Sequence, residues 1–335
     1  MNKLFSATMM LALLSSPATA GMLTDYYTSF YSFGDSLTDD GKLGPGVLQA
    51  PSLNGRFSNG PTYAEHIEEL FISSGLDTGN LALGGATAGD INANPAPPLN
   101  TFNGQIGVFQ HSLATNTPLP TPPADPPKSA GPAPGTNPLV SVLFGGNDIF
   151  QGLDPLDAAD DVTDGIRSIA AINRSLFDDF FVPNLPLGFD PVFGFSATLF
   201  NDQLANNISL LRLEGFNVIE FNTQAVFDEL VDDIINGGTL FGITGAGPCR
   251  ESFAIPGDSC LDAGIDPNTL LLNDRVHPNG VVHQVWGDRA IAAIETATVP
   301  TVGTLPLMLS VLIVLGFTRL RRRAQPIGVT KAPII

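Results

Sequence analysis

Short apolar runs recur along this chain of 335 residues, and helical patterns separate them. The runs are residues 29–33, 80–83, 139–144, 181–182 and 218–221. Apolar residues at three- to four-residue spacing fill the segments 61–73, 158–178, 195–214 and 278–294. Buried strands that alternate with helices predict an α/β fold, with a parallel sheet covered on both faces. The length suits one large α/β domain or two small ones.

The first 20 residues are predicted to be a signal peptide. They carry Lys3, then an apolar run at 4–14, then the small residues Ala18-Thr19-Ala20. This order is typical of a secretory signal cut after Ala20. The alternative is an N-terminal membrane helix, which the run is too short to favour because a span needs about 20 apolar residues.

The segment 299–335 is predicted to be a C-terminal sorting signal or a transmembrane anchor with a basic tail. Residues 302–317 are apolar, and four arginines follow within 319–323. Clustered arginines stay on the cytoplasmic side, so the body, residues 21–298, would face outward. Val299-Pro300 before the apolar run resembles signals that exosortase-type sorting enzymes process, and a plain membrane anchor fits equally well. We therefore expect an exported protein, at the cell surface or extracellular.

The body is strongly acidic. The two ends hold six of the 15 basic residues and none of the 33 acidic ones, which leaves nine against 33, a net charge of −24. Such a surface repels phosphate backbones, so nucleic acid is excluded as a partner.

Two cysteines, Cys249 and Cys260, are predicted to form a disulfide, because an exported chain favours this pairing over a metal site. The short loop would contribute about 2–3 kcal/mol of stability. No CxxC spacing or histidine cluster points to zinc. Nine of the 28 prolines lie in 116–138, which excludes a helix or a central strand there. We predict an exposed insertion, with a Pro-rich recognition segment as the alternative.

Four polar motifs follow predicted strands or open the last helix. They are Gly34-Asp35-Ser36-Leu37, Asn80 to Ala86, Gly145-Gly146-Asn147-Asp148 and Asp274-Arg275-Val276-His277-Pro278. Ligands of parallel sheets gather beyond the carboxyl ends of the strands. One edge of one sheet would therefore collect all four motifs.

The first and last motifs supply a hydroxyl and a base. Ser36 is a candidate nucleophile, although a GDS triplet alone more often makes a helix-capping turn. His277 has Asp274 three residues upstream, near enough to fix its tautomer and stabilise its imidazolium. The other histidines lack such a setting, and we predict that His66 and His283 lie on helix surfaces.

The middle motifs supply donors for an oxyanion. The candidates are the Gly85 N–H, with Gly84 as runner-up, the Asn147 side-chain amide, and the Ser36 N–H. The alternatives are a tight strand exit at Gly84-Gly85 and a helix N-cap at Asn147.

Together these motifs resemble the GDSL-type, or SGNH, family of serine esterases and lipases. The resemblance runs from Phe33 to Gly280 and implies a flavodoxin-like three-layer α/β/α sandwich with a central parallel sheet. It also implies no metal or other cofactor, and ester hydrolysis through an acyl-serine intermediate. Ser36, Asp274 and His277 would be catalytic; Ser36, Gly85 and Asn147 would form the oxyanion hole. The segment 182–186 and the cysteine-bearing loop resemble the secreted lipase and phospholipase-hemolysin branch.

Three functions therefore compete. The first is a secreted, membrane-tethered hydrolase of carboxylic esters, with a lipid or other ester as substrate. The second is an esterase of acylated polysaccharide, and the third is a catalytically idle adhesion or binding protein. Some phenylalanines could line an acyl groove, although most suit an ordinary core: Phe180, Phe181, Phe189, Phe193 and Phe195.

Overall fold

Five parallel strands form the central sheet in the order β2-β1-β3-β4-β5. They are β1 (Ser29–Gly34), β2 (Asp77–Asn80), β3 (Pro138–Leu143), β4 (Asp179–Pro183) and β5 (Asn217–Phe221). The computed structural model describes residues 22–93, 98–124, 133–188, 190–253 and 256–298. The chain begins its sheet at β1, adds β2 on one side and returns to β3 on the other. The flavodoxin-like order therefore opens a crevice beyond the carboxyl ends of β1 and β3.

Helices flank the sheet, and a small parallel pair of strands lies apart from it. The helices are α1 (Leu23–Tyr26), α2 (Tyr63–Ser73), α3 (Phe102–Thr115), α4 (Gly146–Phe150), α5 (Pro155–Ile172), α6 (Pro191–Leu213), α7 (Thr223–Ile235) and α8 (Gly280–Thr298). The second sheet pairs β6 (Gly245–Pro248) with β7 (Leu270–Leu272). Local signals begin several helices: the Thr62 side chain caps α2, and Asp154 and Asp190 cap α5 and α6 ahead of prolines.

Alternation along β1 shows that helices cover both faces of the sheet. Phe30 stacks on Phe71 of α2, whereas Tyr31 and Phe33 contact Phe109 of α3. Successive strand residues point to opposite faces, so α2 and α3 lie on opposite sides. Every residue of β1 and β3 is buried, as expected for strands between two helical layers. The architecture is the predicted three-layer α/β/α sandwich.

Several predicted elements are placed differently in the structure. The second strand is Asp77–Asn80, not 80–83, because regular pairing with β1 ends at Asn80. Helices α3, α4 and α7 were not predicted. The last helix begins at Gly280, two residues after Pro278.

One prediction about exposure is wrong, and another holds for the described residues. His283 is 1% exposed and lies inside the domain, where its Nδ1 accepts a hydrogen bond from the Tyr63 N–H. Burial lowers the pKa of His283 to about 3. The proline-rich segment is largely exposed where the structure describes it, as predicted, although Leu119 is buried and Pro138 is the first residue of β3. Residues 125–132 lie outside the described residues.

The two ends of the chain stay predictions. Residues 1–21 and 299–335, which hold the predicted signal peptide and C-terminal segment, lie outside the described residues. Within the described ranges, no helix combines the length and apolarity needed to cross a membrane. The described part up to Thr296 belongs to one compact unit, and the unit that follows is described only at residues 297 and 298. A disulfide joins Cys249 to Cys260, the predicted pair.

Candidate active site

A chain of two hydrogen bonds joins Ser36, His277 and Asp274. His277 Nε2 lies 2.8 Å from Ser36 Oγ, although the two residues are 241 positions apart. His277 Nδ1 lies 2.9 Å from Asp274 Oδ1. The structure therefore brings together the hydroxyl, imidazole and carboxylate that the sequence singled out, beyond the carboxyl end of β1.

One tight turn holds the imidazole and its carboxylate together. Asp274 Oδ1 accepts hydrogen bonds of 2.8 Å from both the Val276 and His277 N–H groups. The Asn273 N–H donates to the His277 carbonyl and closes the turn. Burial opposes ionisation of Asp274, but the hydrogen bond from His277, its charge and the two N–H donors outweigh burial and lower the pKa of Asp274. The carboxylate is thus ionised when it faces the imidazole.

The Phe57 ring packs against the imidazole of His277 and leaves room only for glycine at position 84. The Phe57 ring centroid is 4.8 Å from that of His277. A methyl group at Gly84 would lie 2.0 Å from Phe57 Cε2, so position 84 admits no side chain. Gly85 has φ of +85°, a conformation that favours glycine. Each glycine of the predicted pair therefore has its own structural reason.

Hydrogen bonds hold the loop after β2 from two sides. The Gly84 N–H donates to Asp39 Oδ2 at 2.8 Å, so this donor is already engaged. Asn147 Nδ2 donates to the Ala86 carbonyl at 2.9 Å, and Asp148 Oδ2 accepts from the Ala88 N–H at 3.0 Å. The loop is thereby fixed between the motif that follows β1 and the motif that follows β3.

Two backbone donors beside this loop are free for a ligand. Among the described residues, no acceptor takes the N–H of Ser36 or of Gly85. Asn147 is only half-buried, and its amide has a second hydrogen beyond the one given to Ala86. The three groups predicted as oxyanion donors thus each keep a hydrogen that no described residue takes, whereas the Gly84 N–H is engaged.

Sequence reasoning missed three buried residues that support the site. Asp39 and Asp148 hold the loop after β2, and both are at most 1% exposed. Gln105 of α3 both accepts from the Gly34 N–H and donates to the Gly34 carbonyl, which fixes the end of β1 just before the nucleophile motif. Asp148 lies inside the third motif and Asp39 lies two residues after the first, so their position could have indicated them. No local signal marks Gln105.

Asp35, beside the candidate nucleophile, is buried, and no lysine or arginine of the described ranges pairs with it. Its Oδ1 accepts a hydrogen bond from the Leu37 N–H at 3.0 Å. Burial raises the pKa of Asp35 to about 7, against the smaller lowering effects of that hydrogen bond and of the charge of His277. This carboxyl therefore resists ionisation, whereas Asp274 favours it.

A cleft of about 1110 Å³ opens above Ser36, Asn147 and His277. Its other lining residues come from α4, from the segment 185–196 and from the region of β6 and β7. In the part of the chain that the structure describes, no three His, Cys, Asp or Glu side chains are placed to hold a metal ion. The cleft holds a hydroxyl with a hydrogen-bonded base, beside free N–H donors.

The chain matches a known family over most of its length. A model of the GDSL-like Lipase/Acylhydrolase family matches residues 30–290. No curated protein matches the chain significantly.

Solved structures of similar fold are distant in sequence. A carbohydrate acetylesterase from Sinorhizobium meliloti is 15% identical, with 80% of this chain and 98% of that chain covered and a TM-score of 0.44. A variant of an acetyl xylan esterase from Geobacillus stearothermophilus is 16% identical, with 80% and 94% covered and a TM-score of 0.39. The inhibitor-bound aryl esterase of M. smegmatis is 16% identical, with 81% and 99% covered and a TM-score of 0.42.

The family match spans the nucleophile motif after β1, the loop after β2, the Asn147 motif and the turn that holds Asp274 and His277. The chain therefore belongs to the GDSL-like lipase/acylhydrolase family, and it is a carboxylic ester hydrolase.

Proposed function

We propose that this hydrolase works through an acyl-serine intermediate formed on Ser36. The observation that carries the proposal is the continuous hydrogen-bonded chain from Ser36 Oγ through His277 to Asp274, with links of 2.8 and 2.9 Å. A serine hydroxyl becomes nucleophilic only when a base within hydrogen-bond reach takes its proton. The imidazole beside Ser36 meets that requirement.

The acylation step follows from these contacts. His277 Nε2 takes the proton of Ser36 Oγ while the oxygen attacks the ester carbonyl carbon. Asp274 accepts the hydrogen bond from Nδ1–H and stabilises the imidazolium that forms. The imidazolium then gives its proton to the leaving alcohol oxygen as the tetrahedral intermediate collapses. Water repeats the sequence on the acyl-serine and releases the acid.

Negative charge on the former carbonyl oxygen needs donors that are already in place. The N–H groups of Ser36 and Gly85 and the second amide hydrogen of Asn147 serve as these donors. Because the loop that carries Gly85 is held by Asp39 and Asp148, the donors need little reorganisation during the reaction.

Replacement of the nucleophile tests this mechanism. Ser36→Ala should reduce turnover of p-nitrophenyl esters by at least about 10⁴-fold and remove labelling by a fluorophosphonate probe. A matched control is Ser196→Ala, which alters another serine of the cleft and should keep both signals. Undiminished turnover in Ser36→Ala would refute the mechanism. Absence of labelling in the intact protein would favour the idle binding protein.

We also propose that the protein is exported and acts as a lipase or esterase on apolar esters. The disulfide between Cys249 and Cys260 supports an oxidising compartment. Processing by a sorting enzyme, or retention of a membrane anchor, is proposed for 299–335. Mass spectrometry of the protein recovered from cell fractions tests this, since recovery of the uncut chain from the cytoplasm would contradict export.

A further inference from the structure

Two phenylalanine rings stack at the cleft, one largely exposed and the other half-buried against the core. The ring centroids of Phe150 (α4) and Phe193 (α6) are 4.7 Å apart, with planes 20° from parallel. Phe150 is 54% exposed, and the neighbouring Val192 is 78% exposed. Ile149 and Leu185 line the same part of the cleft. We call these five residues, Ile149, Phe150, Leu185, Val192 and Phe193, the aromatic wall.

The aromatic wall is held in place although much of it is exposed. Asn201 donates to the Leu185 carbonyl at 2.8 Å and accepts from the Leu185 N–H at 2.9 Å. The Phe193 ring lies beside Gly188, where a methyl group would come within 3.3 Å of it. Asp190 Oδ1 accepts from the Phe193 N–H at 3.0 Å and fixes the start of α6. The wall is therefore formed before any ligand arrives.

Exposed apolar surface beside a nucleophile indicates what the cleft binds. A folded chain gains about 25 cal/mol for each Å² of apolar surface it buries, so leaving the Phe150 ring and the Val192 side chain open forgoes stability unless a ligand covers them. Among the described residues that line the cleft, those beside the aromatic wall include few hydrogen-bonding side chains. Asp190 is engaged as the cap of α6, and Ser196 is the other polar side chain from that helix. An aliphatic chain needs no hydrogen bonds, whereas a sugar ring does.

We propose that the aromatic wall binds the aliphatic chain of the ester and that Phe150 and Phe193 set the preference for chain length. The inference rests on the proposed function, because the ester must be the substrate at Ser36. The acidic body, at −24, disfavours an anionic lipid surface as the source of that chain. The substrate class is thus neutral or zwitterionic esters of medium to long aliphatic chains.

The test compares two esters that differ only in chain length. With the full-length protein, kcat/KM is measured for p-nitrophenyl acetate and p-nitrophenyl octanoate. Phe150→Ala and Phe193→Ala should each lower the ratio of octanoate to acetate about tenfold, while acetate turnover changes less than about twofold. Phe150→Ala is the decisive variant, because the Phe150 ring is largely exposed and its removal should not impair folding.

A matched control lies on the same helix. Phe195 is 68% exposed but does not line the cleft, so Phe195→Ala should leave the ratio unchanged. An unchanged ratio in Phe150→Ala would overturn the proposal. An equal fall in Phe195→Ala would also overturn it, since the effect would then be general adsorption. A larger loss on acetylated oligosaccharide than on octanoate would assign the rings to a sugar instead.

A binding measurement separates this inference from the mechanism. Calorimetry of p-nitrophenyl octanoate with Ser36→Ala should detect binding that falls about tenfold when Phe150→Ala is added. If Phe150→Ala does not weaken octanoate binding, the proposed role of the aromatic wall is wrong, even if turnover requires Ser36. If Phe150→Ala weakens octanoate binding but turnover does not require Ser36, the acyl-serine mechanism is wrong and the role of the aromatic wall is supported.

Discussion

The two sides of the cleft are built in opposite ways. On the catalytic side, buried carboxylates and amides hold each loop: Asp39 and Asp148 hold the loop after β2, and Asp274 holds the turn of His277. On the other side, the aromatic wall presents Phe150 and Val192 largely to solvent. Reacting groups must be placed within a fraction of an ångström, and an aliphatic chain needs only apolar area. The reacting groups therefore lie on the side with fixed geometry. The residues that select the substrate lie on the side where substitutions cost the fold little stability.

The largest effect is expected where the catalytic side orients the base. Asp274→Asn should lower kcat by about 10³–10⁴-fold, because an amide cannot stabilise the imidazolium and favours the wrong tautomer. Steady-state kinetics on p-nitrophenyl acetate measures the loss. Asp266→Asn, at the cap of the short 3-10 helix before β7, is a control that should keep kcat. A loss below about tenfold in Asp274→Asn would show that Asp274 does not orient the base.

The next effect concerns stability on the catalytic side. Burial raises the pKa of Asp35 from 3.8 to about 7, so the folded protein keeps a proton that the unfolded chain has lost. Its contribution to stability therefore falls as pH rises from about 4 to 7. Asp35→Asn should be more stable than the unaltered chain at pH 8, by up to about 4 kcal/mol, with the difference vanishing near pH 4. Urea unfolding at both pH values measures this, and equal stability of the two chains at pH 8 would contradict it.

Removal of an oxyanion donor should have a slightly smaller effect. Asn147→Ala should lower kcat by about 10²–10³-fold, or about 3 kcal/mol. The same change also breaks the hydrogen bond to the Ala86 carbonyl. Thermal unfolding should therefore accompany the kinetics. A drop in melting temperature with kcat unchanged would limit Asn147 to a structural role.

A milder effect is expected where a carboxylate acts through the loop. In Asp39→Asn the single carbonyl oxygen can accept from the Gly84 N–H or from the Gly41 and Lys42 N–H groups, but not from both sets. The change also removes the charge beside Lys42, so we expect kcat to fall about tenfold with KM little changed. Asp40→Asn, which alters the other carboxylate near Lys42, is the comparison variant. If both variants change kcat and KM to the same extent, the cause is a general disturbance of the fold and not a displaced Gly85 donor.

The smallest effect should come from the aromatic wall. Val192→Ala is expected to change the free energy of unfolding by less than about 0.5 kcal/mol, because the side chain is 78% exposed. The octanoate-to-acetate ratio should fall about twofold through lost apolar contact. A destabilisation above about 1 kcal/mol, measured by urea unfolding, would mean that the Val192 side chain contributes to the core.

The sequence predicted the parts of the molecule that repeat a simple pattern. Apolar runs located β1, β3, β4 and β5, and the motifs that follow the strands located Ser36 and His277 at one edge of the sheet. The strand Asp77–Asn80 was misplaced because it has no apolar side chain, so no apolar run marks its position. Helix α3 escaped because glycines interrupt its apolar spacing.

Some features of the site depend on distant contacts that no local pattern records. Phe150 and Phe193 belong to different helices, and nothing in their neighbourhoods tells a core ring from an exposed one. Gln105 meets Gly34 across 71 positions. His283 was placed on a helix surface because a lone histidine usually is, whereas the packing of α8 against α2 encloses it.

The turn that encloses His277 makes the base and its carboxylate one mechanical piece. Three nitrogens from two adjacent residues converge on a single oxygen of Asp274, so the pair can be displaced only as a whole. The nucleophile comes from a part of the chain 241 positions earlier. A polypeptide divided between these two regions would lack proton transfer in either fragment and regain it only on reassembly, which makes ester turnover a direct reporter of fragment complementation.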